Sequence, residues 1–169
     1  AAVAVGPERA ELVAVAGRLV ADEQAVARRR AELDRADGPE GVAWTARHRA
    51  EHLRLRWRAD ADPPAPEELV DAWQEAYDAF DRLGHRFERA RSATRLASVL
   101  AHAGQEHASR ARELLDGARE EAERLGALPL LAEIGALDGR RAARQQDGRG
   151  HGPRQDAGKH GHALVELTP

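Results

Sequence analysis

The groups in this chain with most chemistry in reach are histidines and carboxylates. His48 and His52 stand four apart in Arg47-His-Arg-Ala-Glu-His52, with Glu51 between them. Four residues is about one helical turn, so both imidazoles would share a face and could hold a metal. The order differs from that of zinc peptidases, in which Glu directly follows the first His, and no third ligand is evident. The plainer reading is a pair of surface histidines. His151, His160 and His162 lie in a Gly-rich tail, where Lys159-His-Gly-His162 could take up adventitious copper or nickel but reads better as polar linker. Glu67/Glu68, Asp78/Asp81 and Glu120/Glu121 read as outer-face carboxylates, solvated or in i,i+4 pairs such as Glu120 with Arg124. Ser92, Ser98 and Ser109 fall in helical stretches, with no Gly-x-Ser-x-Gly elbow. There is no cysteine, which excludes disulfides, zinc–thiolate sites, iron–sulfur clusters and thiolate nucleophiles. No catalytic, cofactor-binding or metal-ligating residue is assigned, and a non-enzyme is expected.

Binding chemistry has other candidates. Arg28-Arg-Arg30 and Arg140-Arg141 with Arg144 and Arg149 could touch phosphate. Acidic neighbours (Glu32, Asp34, Asp138, Asp147) dilute them and no aromatic stands beside them, so solvated faces are the better reading. Trp44, Trp57, Trp73, Tyr77, Phe80 and Phe87 all lie between residues 44 and 87. They read as a local core, with Trp44 and Tyr77 the two expected at the surface and hence the candidate partner-binding residues.

These groups must be carried by helices. The 169 residues include 36 alanines but only 4% aromatics, too thin a supply for a β-sandwich or barrel. Charged residues reach 33%, yet the net charge is only −3, which argues against a nucleic-acid or membrane surface spread over the whole chain. No apolar run is long enough to span a membrane, and a cytoplasmic protein is expected. The absence of methionine, even at position 1, marks a processed product or a piece of a longer chain.

Six helices are predicted, over about 7–36, 42–58, 66–83, 87–103, 106–125 and 129–145. Their apolar stripes include Leu12, Val15, Leu19, Val26 and Leu33 in the first; Trp44, Ala50, Leu53 and Trp57 in the second; and Leu69, Trp73, Ala76, Phe80 and Leu83 in the third. The fourth carries Ala90, Ala93, Leu96, Ala97 and Leu100; the fifth Ala108, Ala111, Leu115, Ala118, Ala122 and Leu125; the sixth Leu131, Ile134 and Leu137. Asp37-Gly-Pro39, the proline-rich 60–66 stretch, Gly84, Gly104 and Gly126 punctuate them. Residues 146–163 are too polar to bury a core and are expected to be a disordered linker; 164–169 turn apolar again.

An internal repeat runs through these elements. Phe80-Asp-Arg-Leu-Gly84 recurs as Ala122-Glu-Arg-Leu-Gly126, and the same shift of 42 places Leu69 on Ala111, Trp73 on Leu115 and Ala76 on Ala118. Self-similarity at this period predicts an all-α solenoid of stacked antiparallel helix pairs. The small–bulky–small spacing of Ala111, Leu115 and Ala118, preceded by Leu96, Ala97, Leu100 and Gly104, resembles tetratricopeptide repeats, with leucine where that family has an aromatic and without its usual Trp and Pro.

The runs Ala72-Trp73 … Phe80-Asp-Arg-Leu-Gly-His-Arg-Phe87 … Arg95-Leu-Ala97 and Ala118 … Ala122-Glu-Arg-Leu-Gly-Ala127-x-Pro129-Leu-Leu-Ala-Glu-Ile134 extend the resemblance. They are similar to the tetratricopeptide-like region of large LuxR-type transcriptional regulators of actinobacteria. The resemblance covers about residues 40–145. Those proteins place an ATPase before the repeats and a helix-turn-helix after them, and the latter opens on a Leu-Thr-Pro segment like Leu167-Thr-Pro169 here. The resemblance implies residues 1–38 as a long N-terminal helix or the end of an upstream repeat, 39–145 as repeats, 146–163 as linker and 164–169 as the start of a C-terminal DNA-binding domain. It also implies a non-catalytic module that binds a protein, peptide or small effector and couples it to the ATPase and DNA-binding domains. No cofactor is expected here; ATP belongs to the parent's ATPase, and DNA would be met only through the C-terminal domain. Cut solenoid ends expose apolar faces, so homodimerisation is a further expectation. The alternative is a free-standing tetratricopeptide adaptor, and a more distant one is a helical enzyme with His48, Glu51 and His52 on a metal.

Overall fold

The computed structural model describes residues 7–32 and 38–149. They form helices α1 (Pro7–Glu32), α2 (Pro39–Ala59), α3 (Pro66–Leu83), α4 (Arg86–Ala103), α5 (Ala108–Arg124) and α6 (Leu128–Arg149), with one turn of 3₁₀ helix at Gln105–His107 before α5. The fold is all-α, and no strand occurs among the described residues.

The helix boundaries follow from the punctuation. Pro39 and Pro66 occupy first turns, where a missing N–H costs nothing. The imidazole Nδ1 of His85 accepts the amide N–H of Glu88 and caps α4. The ends of α3 and α5 are built alike, 42 residues apart. Gly84 and Gly126 take φ of 73° and 62°, a left-handed conformation that glycine adopts without a Cβ penalty. At the first, Gly84 N–H reaches Asp81 O and His85 N–H reaches Phe80 O; at the second, Gly126 N–H reaches Glu123 O and Ala127 N–H reaches Ala122 O. Both are Schellman turns. Helix α2 ends in the same pattern with Asp60 at φ 52°, where Asp60 N–H meets Trp57 O and Ala61 N–H meets Arg56 O.

Consecutive helices pack against one another from α1 to α6, and alternate helices touch as well: α4 also contacts α6, and ion pairs join it to α2. Gln74 of α3 and Arg110 of α5 are hydrogen-bonded. Helices α2, α4 and α6 thus lie on one side of the core, and α3 and α5 on the other. The core joins Leu69, Trp73, Leu96, Leu100, Leu115 and Ile134, all buried, with alanines of α2 to α5 between them. Burying a side chain of this size is worth roughly 1.5–3 kcal/mol. A second, smaller cluster of Ala43, Ala79 and Phe80 is flanked by Trp44 and Leu83.

Helix α4 is enclosed on most sides, which its small residues permit: Ala90, Ser92, Ala93, Thr94 and Ala97 are all buried. The expected stripes of α3 and α4 are buried except Leu83, which is half-buried. Four expectations are corrected, the first being Phe87, read as part of the aromatic core but exposed in the first turn of α4. In α6 Leu130 is buried and Leu131 only partly, because the helix is entered from the Gly126 turn. Leu125 ends α5 exposed, since the chain turns away there. The apolar side chains Leu12, Val15, Leu19 and Val26 of α1 are exposed, because among the described residues α1 packs chiefly on α2. Helix α6 runs to Arg149 despite Asp147 and Gly148, so the first four residues of the expected linker are helical. The remaining linker, 164–169, Leu33 and the expected end of α1 lie outside the described residues. Among the described residues no helix is long and apolar enough to cross a membrane.

Candidate ligand-binding clefts

A line of charge crosses the α2–α4–α6 side. Arg47 of α2 is on the face that carries Ala43, Ala46, Ala50 and Leu53, and is itself buried. Its guanidinium pairs with buried Glu88 of α4 and lies 3.7 Å from Glu51 one turn on. Glu51 also meets Arg54 at 2.8 Å and Arg95 of α4 at 3.8 Å. Arg95 pairs in turn with Glu133 of α6. Burial is the largest influence on the Glu51 carboxyl and pushes its pKa up. Arg54, by charge and hydrogen bond, and then Arg95 and Arg47 outweigh it, and the net result lies below the ordinary value. Burial, and then the charge of Arg54, push Arg95 down to about 10, with Arg91 and Arg47 adding to the shift and Glu51 opposing it; Arg95 stays charged at neutral pH.

Beside Arg95 a cleft of about 380 Å³ opens between α2, α4 and α6. Four arginines face it (Arg54, Arg58, Arg95, Arg140) against the one carboxylate of Glu133. Its apolar wall is Trp57, Val99 and Leu137, with the His102 ring edge-on to Trp57 at 5.1 Å. Arg54 and Arg95 have carboxylate partners; Arg58 and Arg140 have no ion pair or hydrogen bond among the described residues. The Nε of Arg95 is buried without a hydrogen-bond partner among the described residues. Arg140 of the α6 basic cluster noted in the sequence lines this cleft and is exposed, as Arg58 is, in keeping with a solvated face. Arg28 and Arg29 of the other cluster are exposed on α1, and Arg29 pairs with Glu32.

A second cleft, of about 370 Å³, lies on the opposite side between α3, α4 and α5. Tyr77 lines it with Gln74, Arg89, Arg110, Glu113 and Glu121, a set balanced in charge. Tyr77 is half-buried and also packs on the main core. Trp44 is half-buried too. It stands edge-on to Phe80 at 5.3 Å, with the Arg47 guanidinium 5.6 Å from its ring centre. The structure does not bring Trp44 and Tyr77 together: Trp44 belongs to the small cluster, Tyr77 to this cleft.

A third cleft, of about 480 Å³, separates α1 from α2, and His48, His52 and Glu51 line it beside Leu19, Val20 and Leu55. Among the described residues no group of three or more metal-ligating side chains is placed to hold an ion. Glu51, the candidate third ligand, is engaged by three arginines instead. Burial, and then Arg56, lower the His52 pKa below its ordinary value.

The buried charges are what the sequence reading missed. Glu121, expected on an outer face, is buried and paired with Arg124 at 3.1 Å and Arg89 at 3.5 Å, whereas Glu120 does form the exposed pair with Arg124. The signal was present: Arg47 stands four residues after Ala43 and three before Ala50, and Glu121 three after Ala118. Comparison with known proteins finds no matching family model, no similar curated protein and no similar solved structure.

Proposed function

We propose that this chain is a non-catalytic helical-repeat module that binds a partner or small effector and couples it to neighbouring domains. Our reading of the parent is a cytoplasmic LuxR-family transcriptional regulator. In it an ATPase would precede the repeats, and a helix-turn-helix would follow and alone contact DNA. The observation that favours stacked, tetratricopeptide-like repeats is the pair of Schellman turns at Gly84 and Gly126, with the same hydrogen bonds at the interval of 42. Buried Leu69, Trp73 and Ala76 precede the first turn at the spacing at which Ala111, Leu115 and Ala118 precede the second. Helix pairs stacked this way leave clefts between alternate helices, and a ligand in such a cleft touches more than one pair. Occupation can shift a two-state equilibrium when the ligand prefers one arrangement of the pairs.

The free-standing adaptor is the second reading, favoured by the charge-balanced Tyr77 cleft, which could take a peptide without any appended domain. Sequencing the parent gene on both sides separates the two. A phosphate-binding loop upstream and a helix-turn-helix downstream of Leu167-Thr-Pro169 are the expected result; a short open reading frame with neither overturns the regulator reading. Cross-linking of the chain at increasing concentration tests the further expectation of a homodimer.

A further inference from the structure

We propose that the cleft between α2, α4 and α6 binds a small, multiply charged anion, a phosphate ester or polycarboxylate, held between Arg58 of α2 and Arg140 of α6 above Arg95 of α4. The argument begins with charge. Four arginines line one cleft whose one lining carboxylate, Glu133, is already paired with Arg95. Arg58 and Arg140 are exposed and have no ion pair or hydrogen bond among the described residues, so both are open to an anion that enters the cleft. Guanidinium forks match the paired oxygens of phosphate and carboxylate, and bonds to them are among the stronger hydrogen bonds proteins make.

Size and shape narrow the ligand. A volume of about 380 Å³ lies in the range of small-molecule sites and is too small for a folded partner. Trp57, Val99 and Leu137 give one apolar wall, so the anion can carry an organic body that packs there while its charged end faces the arginines. The three helices that supply the residues belong to successive pairs of the stack. An anion bridging Arg58 and Arg140 therefore ties α6 to α2. That bridge is a means of coupling only on the module reading given above; the binding itself does not depend on it.

The test is calorimetric titration of the whole chain with pyrophosphate and, separately, with citrate, at about 50 mM salt so that screening stays modest. Saturable binding of at least one probe is expected. Arg58→Gln and Arg140→Gln should each weaken it about tenfold, the loss of one charge-assisted contact. Arg29→Gln, on α1 and away from the cleft, should leave it unchanged. Because Arg58 and Arg140 have no ion pair among the described residues, neither substitution should lower the melting temperature, and a melting curve for each variant shows that it is folded. Binding of pyrophosphate alone assigns a phosphate ester; binding of citrate as well as, or in place of, pyrophosphate assigns a site that takes polycarboxylates. No saturable binding of either probe, or binding that both substitutions leave intact, overturns the site. Amide exchange along α6 should slow when the probe is bound; unchanged exchange overturns the bridge. The gene sequence that decides the regulator reading has no influence on this titration, so the two fail separately.

Discussion

Arg47 of α2 and Glu88 of α4 form an ion pair 41 residues apart in sequence, with side chains only 9% and 7% exposed. Desolvating two charges gives back most of what their attraction gains, so the pair contributes little net stability over an apolar pair of similar volume. Removing one partner is different, because the charge left buried keeps only a longer contact, Arg47 to Glu51 at 3.7 Å or Glu88 to Arg91 at 3.8 Å. Arg47→Ala or Glu88→Ala should each cost about 3–5 kcal/mol in urea denaturation, while Arg47→Met with Glu88→Leu should cost far less. Equal losses in the single and paired variants would show that packing, not charge, holds the two helices.

Three helix ends share one backbone form with different residues at the left-handed position. Gly84→Ala and Gly126→Ala should each destabilise by about 1 kcal/mol, since a Cβ is disfavoured at positive φ. Asp60, at φ 52° in the same role, already bears that penalty. Asp60→Gly should therefore raise stability by up to about 1 kcal/mol, reduced by the entropy glycine adds to the unfolded chain. Thermal melts of the three variants check both signs.

Trp73 is fully buried, and its indole N–H has no hydrogen-bond partner among the described residues. Trp73→Ala should cost about 3–5 kcal/mol through the cavity it leaves. Trp73→Phe leaves a smaller void and removes an unsatisfied donor, so its cost should stay below about 1.5 kcal/mol. A Phe variant as unstable as the Ala variant would mean that the indole makes a hydrogen bond after all.

The titrating groups at the α1–α2 cleft predict acid sensitivity. The folded Glu51 pKa lies below its ordinary 4.5, so its contribution is present above that pH and is lost as pH falls through the folded value. The folded His52 pKa lies below 6.5, so the unfolded chain takes up that proton first, and stability falls as pH drops below about 6.5. Glu51→Gln should flatten the stability profile below pH 4.5, and His52→Asn should flatten it just below pH 6.5; denaturant midpoints across pH 3–8 measure both.

The contrast between α3 and α2 shows what was legible in the sequence. Leu69, Trp73, Ala76 and Phe80 recur at steps of three and four, large enough to mark the buried face, and all four are buried. In α2 the face is marked by alanines, and the two tryptophans that drew the eye lie at its margins, half-buried, while Arg47 sits inside. Alanine carries too little apolar area to declare a direction, so a buried arginine beside it reads as surface. The basic cleft was hidden for a further reason. Arg58, Arg95 and Arg140 are some forty residues apart, and only the stacking of alternate helices brings them to one place.

The two-residue turn at Gly84-His85 and the short one at 125–127 leave no slack between α3 and α4 or between α5 and α6. The connections at 60–65 and 104–107 are longer, one running through Pro63 and Pro64 and the other through a turn of 3₁₀ helix. The shift of 42 carries α3 and α4 onto α5 and α6, so the two short turns lie inside the repeated unit and the 104–107 connection lies between its two copies. The core crosses that connection without a break, from Leu96 and Leu100 of α4 to Ala111 and Leu115 of α5. The two copies therefore cannot part at their longer connection without opening the core they share.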